Sequence, residues 1–379
     1  MDLHAKYPAI SDLKDAARRR IPHFVWEYLD SGTGTETTLH RNRTQLDAIT
    51  FMPSILHGEF KPDLSVTLLD RHYPLPIGIA PVGMSGLIWP QAEQMLARTA
   101  ARESIPYCLS TVATQTPEDL ADDHAGQGWF QIYPPRDAAI RADMLARAKA
   151  AGFHTLVLTV DVPVASRRER QTRGGLVQPP RLTPRLALQA AMRPAWLMGI
   201  AKTGMPRMKL MDNYAEQTAS LPSNQHVGYL LRTSPDWDYV KALRDAWDGP
   251  FVIKGVLNPN DVAGLEAAGA DAIWISNHAG RQFDAAPATI EQLPAIRAQT
   301  TLPIIIDSGI SSGLDVLRAI ALGANFVMLG RAFHFGLAVC GEEGASHVVD
   351  ILRQDMIANM GQLGTHSLQS LNAKIWRPR

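Results

Sequence analysis

The stretch NDVAGLEAAGADAIWISNHAGRQFD (260–284) contains the pattern that decides the fold. Its first part, 260–270, has helical composition and a glycine, Gly269, close to its end, as many helices do. A short apolar run follows at 271–276, and it gives way at once to polar and charged side chains. Strands that are buried on both faces of a parallel sheet look like this. The stretch therefore predicts a helix, a buried strand, and a polar loop at the carboxyl end of that strand.

The same unit recurs along the chain. Eight short apolar runs end in polar residues or glycine, at 77–80, 106–110, 129–133, 155–160, 250–254, 271–276, 302–307 and 325–329. Segments of helical composition separate most of them, for example 91–103, 140–152, 260–270 and 313–324. Strand followed by helix, eight times, predicts an α/β fold of the (β/α)8 TIM barrel type. An open doubly wound sheet is the alternative, but no run precedes the G-x-G-x-x-G pattern of its dinucleotide-binding form.

We expect a single domain over 1–379, made of a barrel and additions to it. Residues 1–75 would form an N-terminal extension of helical and irregular structure, 76–350 the barrel, and 351–379 a C-terminal helical tail. About 95 residues separate the starts of the fourth and fifth runs, which predicts an insertion at about 171–225. Its Pro- and Arg-rich part, 178–211, would be a lid on the barrel, a membrane-binding segment or a disordered segment.

Composition narrows the functional classes. Apolar residues make up 46% and charged residues 20%, as in globular proteins. Lys plus Arg equals Asp plus Glu at 37 each, so net charge does not favour nucleic-acid binding. The two cysteines, Cys108 and Cys340, have neither disulfide-framework nor metal-ligand spacing. The N-terminus lacks an apolar h-region, and no apolar run reaches the roughly 20 residues that span a bilayer. We expect a cytoplasmic protein without a metal, either free or bound peripherally to the inner face of the cell membrane.

In TIM barrels the catalytic and binding residues lie at the carboxyl ends of the strands, so the residues at the end of each run are candidates for a functional site. In chain order these residues are Ala80, Pro81, Val82 and Gly83; Ser110 and Thr111; Gln131 and Tyr133; Thr159, Asp161 and Arg168; Lys254 and Gly255; Ser276, His278 and Arg281; Asp307, Ser308 and Gly309; and Gly330 and Arg331. A single His or Lys at such a position is more often a surface or capping residue than a catalyst. Ordinary solvated loops would also give polar strand ends.

The combination of residue types at these strand ends favours a functional site. Lys254 closes an otherwise apolar run, and charges are rarely buried without a partner. Asp161 and His278 would lie within reach of each other across the barrel, which suits an oriented general base. Arg168 and Arg281 have the character of a carboxylate clamp. The glycine-containing stretches at 307–313 and 330–331 stand where barrels bind phosphate through backbone amides.

These residues are similar to a known family. SNHAGRQFD (276–284) resembles the signature of the FMN-dependent 2-hydroxy acid oxidising enzymes, which include glycolate oxidase, lactate oxidase and the bacterial L-lactate and mandelate dehydrogenases. The resemblance extends over nearly the whole chain, through VWEYLDSGTGTETTLHRNR (25–43), IAPVGMSGL (79–87), WFQIY (129–133), LTVDVPVASRRER (158–170), VIKGV (252–256), DSGI (307–310) and LGRAF (329–333). The insertion most resembles that of the membrane-associated lactate and mandelate dehydrogenases.

The resemblance implies an FMN-dependent dehydrogenase that oxidises an L-2-hydroxy acid to the 2-oxo acid. His278 would be the base, and Asp161 would stabilise its imidazolium. Arg281 and Arg168 would bind the substrate carboxylate, and Tyr28 and Tyr133 would hydrogen-bond to its oxygens. The cofactor residues would be Ala80, Pro81 and Val82 at the flavin edge that carries N5, Ser110, Gln131, Thr159 and Lys254 along the ring, Asp307 at the ribityl chain, and Gly309, Gly330 and Arg331 at the phosphate, with Ser276 and Ser308 also in the site. A cation such as Lys254 would stabilise the anionic reduced ring.

Two positions depart from the family pattern. Ser311 stands where the family usually has an Arg that helps to hold the flavin phosphate. We therefore expect FMN to be retained less tightly than in relatives, with Arg331 and backbone amides carrying more of the binding. Val112 stands where the plant-type glycolate oxidase has a Trp, which favours a substrate larger than glycolate.

Several alternatives remain open at the level of sequence. An oxidase that passes electrons to O2 and produces H2O2 would use the same residues as a dehydrogenase that passes them to a quinone or another carrier. An FMN barrel isomerase of the type that handles isopentenyl diphosphate suits the paired arginines less well. A flavin-binding protein with lost or altered activity is favoured only by Ser311. The family also implies a homotetramer, and 178–211 would provide any membrane contact.

Overall fold

Eight parallel strands close into a barrel, as the sequence predicted. The structure is a computed structural model that describes residues 2–59, 61–176, 183–214 and 233–376. A hairpin of β1 (Val66–Leu68) and β2 (Arg71–Tyr73) precedes the barrel. The barrel strands are β3 (Ile77–Ile79), β4 (Tyr107–Ser110), β5 (Gly128–Ile132), β6 (Thr155–Thr159), β7 (Phe251–Val256), β8 (Ala272–Ile275), β9 (Ile304–Ile306) and β10 (Phe326–Leu329). Each pairs with its neighbours in chain order, and β10 pairs with β3 to close the ring.

The closing pair excludes the open doubly wound sheet. Val327 and Leu329 of β10 lie opposite Ile77 and Ile79 of β3 in a parallel register. Side chains fill the interior of the barrel instead of leaving a channel. The interior cluster includes Cys108, Trp129, Val157, Val252, Trp274, Ile305, Phe326 and Met328, all fully or almost fully buried. A barrel packed in this way presents its polar groups only at its ends.

Helices surround the barrel and extend it at both termini. They are α1 (Leu3–Lys6), α2 (Ile10–Arg20), α3 (His23–Asp30), α4 (Thr37–Asp47), α5 (Ser85–Ile88), α6 (Ala92–Glu103), α7 (Ala138–Ala150), α8 (Glu169–Gly174), α9 (Pro184–Ala191), α10 (Pro194–Thr203), α11 (Lys209–Asp212), α12 (Trp237–Asp245), α13 (Val262–Ala267), α14 (Thr289–Arg297), α15 (Gly313–Ala321) and α16 (Arg331–Leu363). Gly152, Gly269 and Gly323 follow α7, α13 and α15 with positive φ. These are the glycines that mark helix ends in the sequence, because a left-handed residue there costs glycine least.

Two predicted boundaries differ from the structure. The helix expected over 260–270 is a 3-10 turn at Pro259–Asp261 followed by the shorter α13. The division between barrel and tail at 350 falls inside α16, which continues to Leu363 across a kink at Cys340 and Gly341. Residues on both sides of that division, such as Val349 and Leu352, are buried in the same core, so nothing interrupts the helix there.

The extension and the insertion both pack at the site end of the barrel. Trp196 of α10 donates its indole N–H to the carbonyl of Leu87 in α5, at 2.9 Å. The side chain of Gln189 in α9 accepts from the backbone N–H of Phe24 in α3, at 2.9 Å. The predicted segment 178–211 is described from 183 onward, and its first residues lie outside the described part. Within the described residues, no helix is both long enough and apolar enough to cross a membrane.

Candidate active site

A floor of buried polar side chains lies at the carboxyl ends of the barrel strands. Ser110 donates from its hydroxyl to Oε1 of Gln131 at 3.0 Å, and Nε2 of Gln131 donates to the hydroxyl of Thr159 at 3.0 Å. These side chains come from the ends of β4, β5 and β6, which are adjacent strands. All three are buried. Because each is hydrogen-bonded to the next, their burial costs little, and the floor has a fixed orientation.

A buried ion pair continues this floor on the opposite strands. Lys254, in the second half of β7, donates to the hydroxyl of Ser276 at 2.8 Å and lies 3.3 Å from Oδ2 of Asp307. The indole N–H of Trp274 also donates to Oδ2 of Asp307, and the hydroxyl of Ser308 donates to Oδ1. Burial disfavours the charge of Lys254, but Asp307 and Asp161 hold the pKa of its ammonium above the usual value. The site therefore keeps a permanent positive charge beneath the barrel mouth.

His278 and Asp161 lie together, although 117 residues separate them in the chain. Nδ1 of His278 is 3.1 Å from Oδ1 and 3.3 Å from Oδ2 of Asp161. Burial lowers the pKa of His278, and the charges of Lys254 and Arg168 lower it further, against the opposing effect of Asp161. Burial would raise the pKa of Asp161, but His278 and Lys254 hold it below its usual value. A neutral imidazole that donates from Nδ1 to a carboxylate leaves Nε2 free as a base.

Backbone strain accompanies this arrangement. His278, Ala279 and Gly280 all have positive φ, at 54°, 54° and 72°. A left-handed conformation costs a non-glycine residue roughly 1–2 kcal/mol. The hydroxyl of Ser276 accepts from the N–H of His278 at 3.1 Å, and that of Ser308 accepts from the N–H of Ala279 at 3.0 Å. These serines therefore fix the strained turn that aims the imidazole.

Positive charge gathers beside the imidazole. Arg281 is held by a 2.6 Å bond from Nη1 to the carbonyl of Ser31, and its guanidinium lies over the ring of Tyr28. Arg168 adopts a positive φ of 46° and bonds from Nε to the hydroxyl of Ser166. Burial, with the repulsion from Arg168 and Arg331, lowers the pKa of Arg281 well below its usual value. Among the described residues neither Arg281 nor Arg168 has a carboxylate partner within ion-pair distance.

Two tyrosines complete this part of the site. The hydroxyl of Tyr28 donates to the carbonyl of Gly83 at 2.8 Å. Burial raises the pKa of Tyr133 to about 12, and the carboxylate of Asp161 adds to the effect. Burial also raises the pKa of Tyr28. Both phenols therefore remain protonated at neutral pH. The hydroxyl of Tyr133 can donate to an anion, whereas that of Tyr28 would have to turn away from Gly83 to do so.

The predicted phosphate end consists mainly of backbone. Gly330 precedes α16, whose first turn has no side-chain cap. The guanidinium of Arg331 donates to the carbonyls of Leu29, Ser31 and Ala279. Near Gly309, Nη1 of Arg43 donates to the carbonyl of Gly309 at 3.3 Å, to the hydroxyl of Ser311 at 3.1 Å and to Asp315 at 2.6 Å.

The sequence did not reveal several contacts that support the site. Asn42 and Asn277 exchange amide hydrogen bonds of 3.0 and 2.7 Å and so connect α4 to the strained turn. Arg170 bonds to Glu27, Asp30 and Glu36 and joins α8 to the N-terminal extension. His334 bonds to Ser85 and to the carbonyl of Gly330. Except for the bond of His334 to Gly330, all of these contacts join residues far apart in the chain, so local sequence patterns do not indicate them.

Known proteins are similar to this chain in sequence and in fold. The family model described as FMN-dependent dehydrogenase matches residues 17–378. An L-lactate dehydrogenase of Caulobacter vibrioides (strain NA1000 / CB15N) is 38% identical over 375 residues, 97% of each chain. One of Pseudomonas aeruginosa (strain LESB58) is 38% identical over 371 residues, 96% of this chain and 97% of the relative.

Solved structures agree with the sequence relatives. The crystal structure of a monotopic membrane protein, (S)-mandelate dehydrogenase, superposes with a TM-score of 0.92 at 33% identity, over 98% of this chain and 99% of that one. A mandelate oxidase superposes with a TM-score of 0.80 at 30% identity, over 96% and 97% of the two chains. The chain therefore belongs to the FMN-dependent dehydrogenase family and is an FMN-dependent oxidoreductase of 2-hydroxy acids.

Proposed function

We propose that the protein oxidises an L-2-hydroxy acid, lactate-like or mandelate-like, to the 2-oxo acid, with His278 as the base. One observation carries the proposal. Two partly buried guanidinium groups, those of Arg281 and Arg168, have no carboxylate partner among the described residues, and Arg168 acts electrostatically on the imidazole of His278. A charge that is partly removed from water gains stability from an opposite charge. A substrate carboxylate supplies the missing charge and places its C2 atom next to the base.

Each side chain has a distinct task in this proposal. Arg281 and Arg168 bind the carboxylate, and the protonated hydroxyl of Tyr133 donates to it, with Tyr28 as a further partner. Nε2 of His278 accepts a proton from the substrate, and Asp161 then stabilises the imidazolium that results. FMN, when bound, accepts the two electrons. The remaining residues exclude water and fix the geometry.

The residues present at the barrel mouth fit FMN. The polar edge of an isoalloxazine ring needs neutral donors and acceptors, which Ser110, Gln131 and Thr159 provide in a fixed chain. Lys254 supplies the buried cation that an anionic reduced ring requires. A Cβ at Gly330 would lie only 3.0 Å from Cγ2 of Val82, so a side chain there would press on the loop proposed to meet the ring edge that carries N5. Asp307, Ser308 and Gly309 would contact the ribityl chain and the phosphate.

Val112 supports a substrate larger than glycolate. A Cβ at Gly83 would lie 2.7 Å from Cγ2 of Val112 and 3.5 Å from the hydroxyl of Tyr28, so Val112 packs directly against Gly83 on this side of the pocket. We infer that a valine here, which is smaller than a Trp, leaves room for the methyl or aryl group of the hydroxy acid.

The reaction is tested by flavin bleaching without oxygen. The FMN-loaded protein is mixed anaerobically with L-lactate, L-mandelate or glycolate, each beside its D-enantiomer where one exists, and the oxidised flavin absorbance is followed. We expect one L-acid to bleach the flavin rapidly and its D-enantiomer to have little effect. In the His278→Gln variant, FMN should still bind, but bleaching should slow by about a thousandfold, since general bases contribute 10²–10⁴-fold.

The outcomes separate the alternatives. A bound flavin that no hydroxy acid bleaches would contradict the proposed reaction and favour a flavin-binding protein with altered activity. Equal bleaching in the His278→Gln variant would contradict the role of the imidazole. We further propose that a quinone or another carrier, not O2, accepts the electrons. Slow reoxidation of the bleached flavin in air is expected, whereas rapid reoxidation with H2O2 formation would identify an oxidase.

Ser311 generates a prediction about FMN affinity. Arg43 lies next to Ser311, but it is paired with Asp315 and Asp47, so its charge is compensated. We expect Ser311→Arg to lower the dissociation constant for FMN about tenfold, because a charge-assisted bond contributes about 1.5–3 kcal/mol. Ser311→Gln has similar length without charge and is the matched control. The affinity is measured by titrating the apoprotein with FMN. Equal affinity of the two variants would contradict the hypothesis that Ser311 weakens the binding of the FMN phosphate.

We propose that the insertion binds a membrane surface. Leu186, Trp196 and Ile200 are buried against the body of the protein, whereas Leu188 and Met198 are 64% and 59% exposed. Further exposed apolar side chains are Met192, Leu197 and Met205. The basic residues Arg185 and Lys202 lie among them and are also exposed. An apolar surface bordered by basic residues suits the inner face of an anionic bilayer.

Vesicle sedimentation tests this surface. We expect the protein to sediment with phosphatidylglycerol-containing vesicles, and the double variant Leu188→Glu, Met198→Glu to bind more than about tenfold less, since burying each side chain contributes more than about 1 kcal/mol. Ile357→Glu, an exposed position on α16, is the control and should bind as the unmodified protein does. If the double variant sediments equally well, the proposed surface is not the one that binds.

We also propose the homotetramer that the resemblance implies. Leu56 is 96% exposed, and Met52, Ile55 and Trp376 are exposed as well. Backbone hydrogen bonds hold the segment around Met52 against the C-terminal residues around Trp376. Exposed apolar groups of this kind are typical of subunit contacts. Light scattering should give four times the mass of one chain, and Leu56→Glu should lower it; the mass of a single chain would exclude the proposal.

A further inference from the structure

The first and last barrel strands, β3 and β10, pair with each other along a seam that closes the barrel. Side-chain contacts continue this connection beyond the ends of the two strands. The ladder between β3 and β10 ends where the N–H of Ala80 donates to the carbonyl of Leu329, at 2.9 Å. Past this point the chain on one side forms the loop at Val82, and on the other side it forms Gly330 and begins α16. Both segments are proposed cofactor contacts, one near the ring and one at the phosphate. Whatever fixes them relative to each other therefore affects both ends of FMN.

His334 and Ser85 join these two segments. Nδ1 of His334 lies 2.8 Å from the carbonyl oxygen of Gly330, and Nε2 lies 2.8 Å from the hydroxyl oxygen of Ser85. That hydroxyl lies 2.9 Å from the carbonyl oxygen of Val82. Both side chains are buried, His334 completely. A continuous chain of contacts therefore runs from Val82 to Gly330 through one imidazole.

Counting hydrogens fixes the tautomer. Burial lowers the pKa of His334 to about 4, so the ring is neutral at physiological pH and carries one N–H. A carbonyl oxygen only accepts, so that hydrogen belongs on Nδ1, where it is donated to Gly330. Nε2 is then an acceptor. The single hydrogen of Ser85 can be donated to Nε2 of His334 or to the carbonyl of Val82.

The bond to Gly330 has a geometric consequence for the next residue. The carbonyl of Gly330 and the N–H of Arg331 belong to one planar trans peptide and point in opposite directions. The helical bond from the N–H of His334 to this carbonyl is long, at 3.4 Å, so the imidazole provides the shorter contact. Fixing the carbonyl therefore aims the N–H of Arg331, in the uncapped first turn of α16, where an anion would be bound.

We propose that His334 is a positioning residue for FMN: it aims the Gly330–Arg331 peptide at the phosphate and, through Ser85, holds the Val82 loop at a set distance from it. The inference rests on the proposed placement of FMN against these two segments. It also accounts for how a chain with Ser311 in place of an arginine holds the phosphate end, since backbone amides need a rigid support to replace a side-chain cation.

The test is the dissociation constant for FMN, measured by titrating apoprotein and independent of turnover. His334→Leu removes the bond to Gly330 and the contact with Ser85, and it should raise the constant about tenfold because the Gly330–Arg331 peptide loses its support. Ser85→Ala should weaken binding less. In the double variant the two effects should not add, since both substitutions break the same chain of contacts.

A matched control separates positioning from simple packing. His347 lies on the same helix, is also buried, and bonds from Nε2 to the carbonyl of Tyr7 at 2.8 Å. His347→Leu should lower the melting temperature but leave the FMN dissociation constant unchanged. If His334→Leu changes that constant no more than His347→Leu does, or if the effects of His334→Leu and Ser85→Ala simply add, the proposal is overturned.

If His334→Leu does not fold, two polar variants test the positioning role of His334 instead. The amide nitrogen of asparagine can take the place of Nδ1, and that of glutamine can take the place of Nε2. His334→Asn should keep FMN affinity within about threefold of the unmodified protein, whereas His334→Gln should lose most of the effect of the imidazole. Equal affinity of both variants would overturn the assignment of the Gly330 bond.

Discussion

An excess of positive charge at the barrel mouth, partly or fully removed from water, is the constraint on which the site depends. The acidic groups Asp161 and Asp307 are engaged with His278 and Lys254. Arg168 and Arg281 remain without such partners among the described residues. Both guanidinium groups are partly buried, and partial burial without a counter-charge is unfavourable, so the folded protein would gain stability from a bound anion. Both a substrate carboxylate and a flavin phosphate have the required sign.

The scaffold must hold these charges against their mutual repulsion. The backbone carbonyl of Ser31 does much of this, because it accepts hydrogen bonds from both Arg281 and Arg331. Ser31 follows α3 in the N-terminal extension, outside the barrel strands. The extension is therefore part of the site, and the network of Arg170 with Glu27 and Glu36 anchors it at the same end.

How much of this the sequence could reveal depends on the range of the interaction. Strand and helix positions were predictable because apolar runs and terminal glycines are local signals. The proximity of His278 and Asp161 was predictable because a barrel brings all strand ends to one face, whatever their separation in the chain. The bonds of Arg281 to Ser31 and of His334 to Gly330 were not, since any residue can offer a backbone carbonyl. The position 350, where the sequence suggested a division between barrel and tail, lies inside α16, which continues across the kink at Cys340 and Gly341.

The two ends of the cofactor site differ in the interactions by which they would bind FMN. At the ring end, a charged pair of Lys254 and Asp307 is buried, and its electrostatic effect is strong because water is excluded. At the phosphate end, Arg43 is neutralised by acidic neighbours and Ser311 adds no charge. Phosphate binding would then combine the charge of Arg331, which the carbonyls of Leu29, Ser31 and Ala279 hold in place, with peptide dipoles that a buried neutral imidazole holds in place. The contribution of the dipoles depends on the accuracy of packing, so substitutions within the seam of β3 and β10 would affect it more than added salt would.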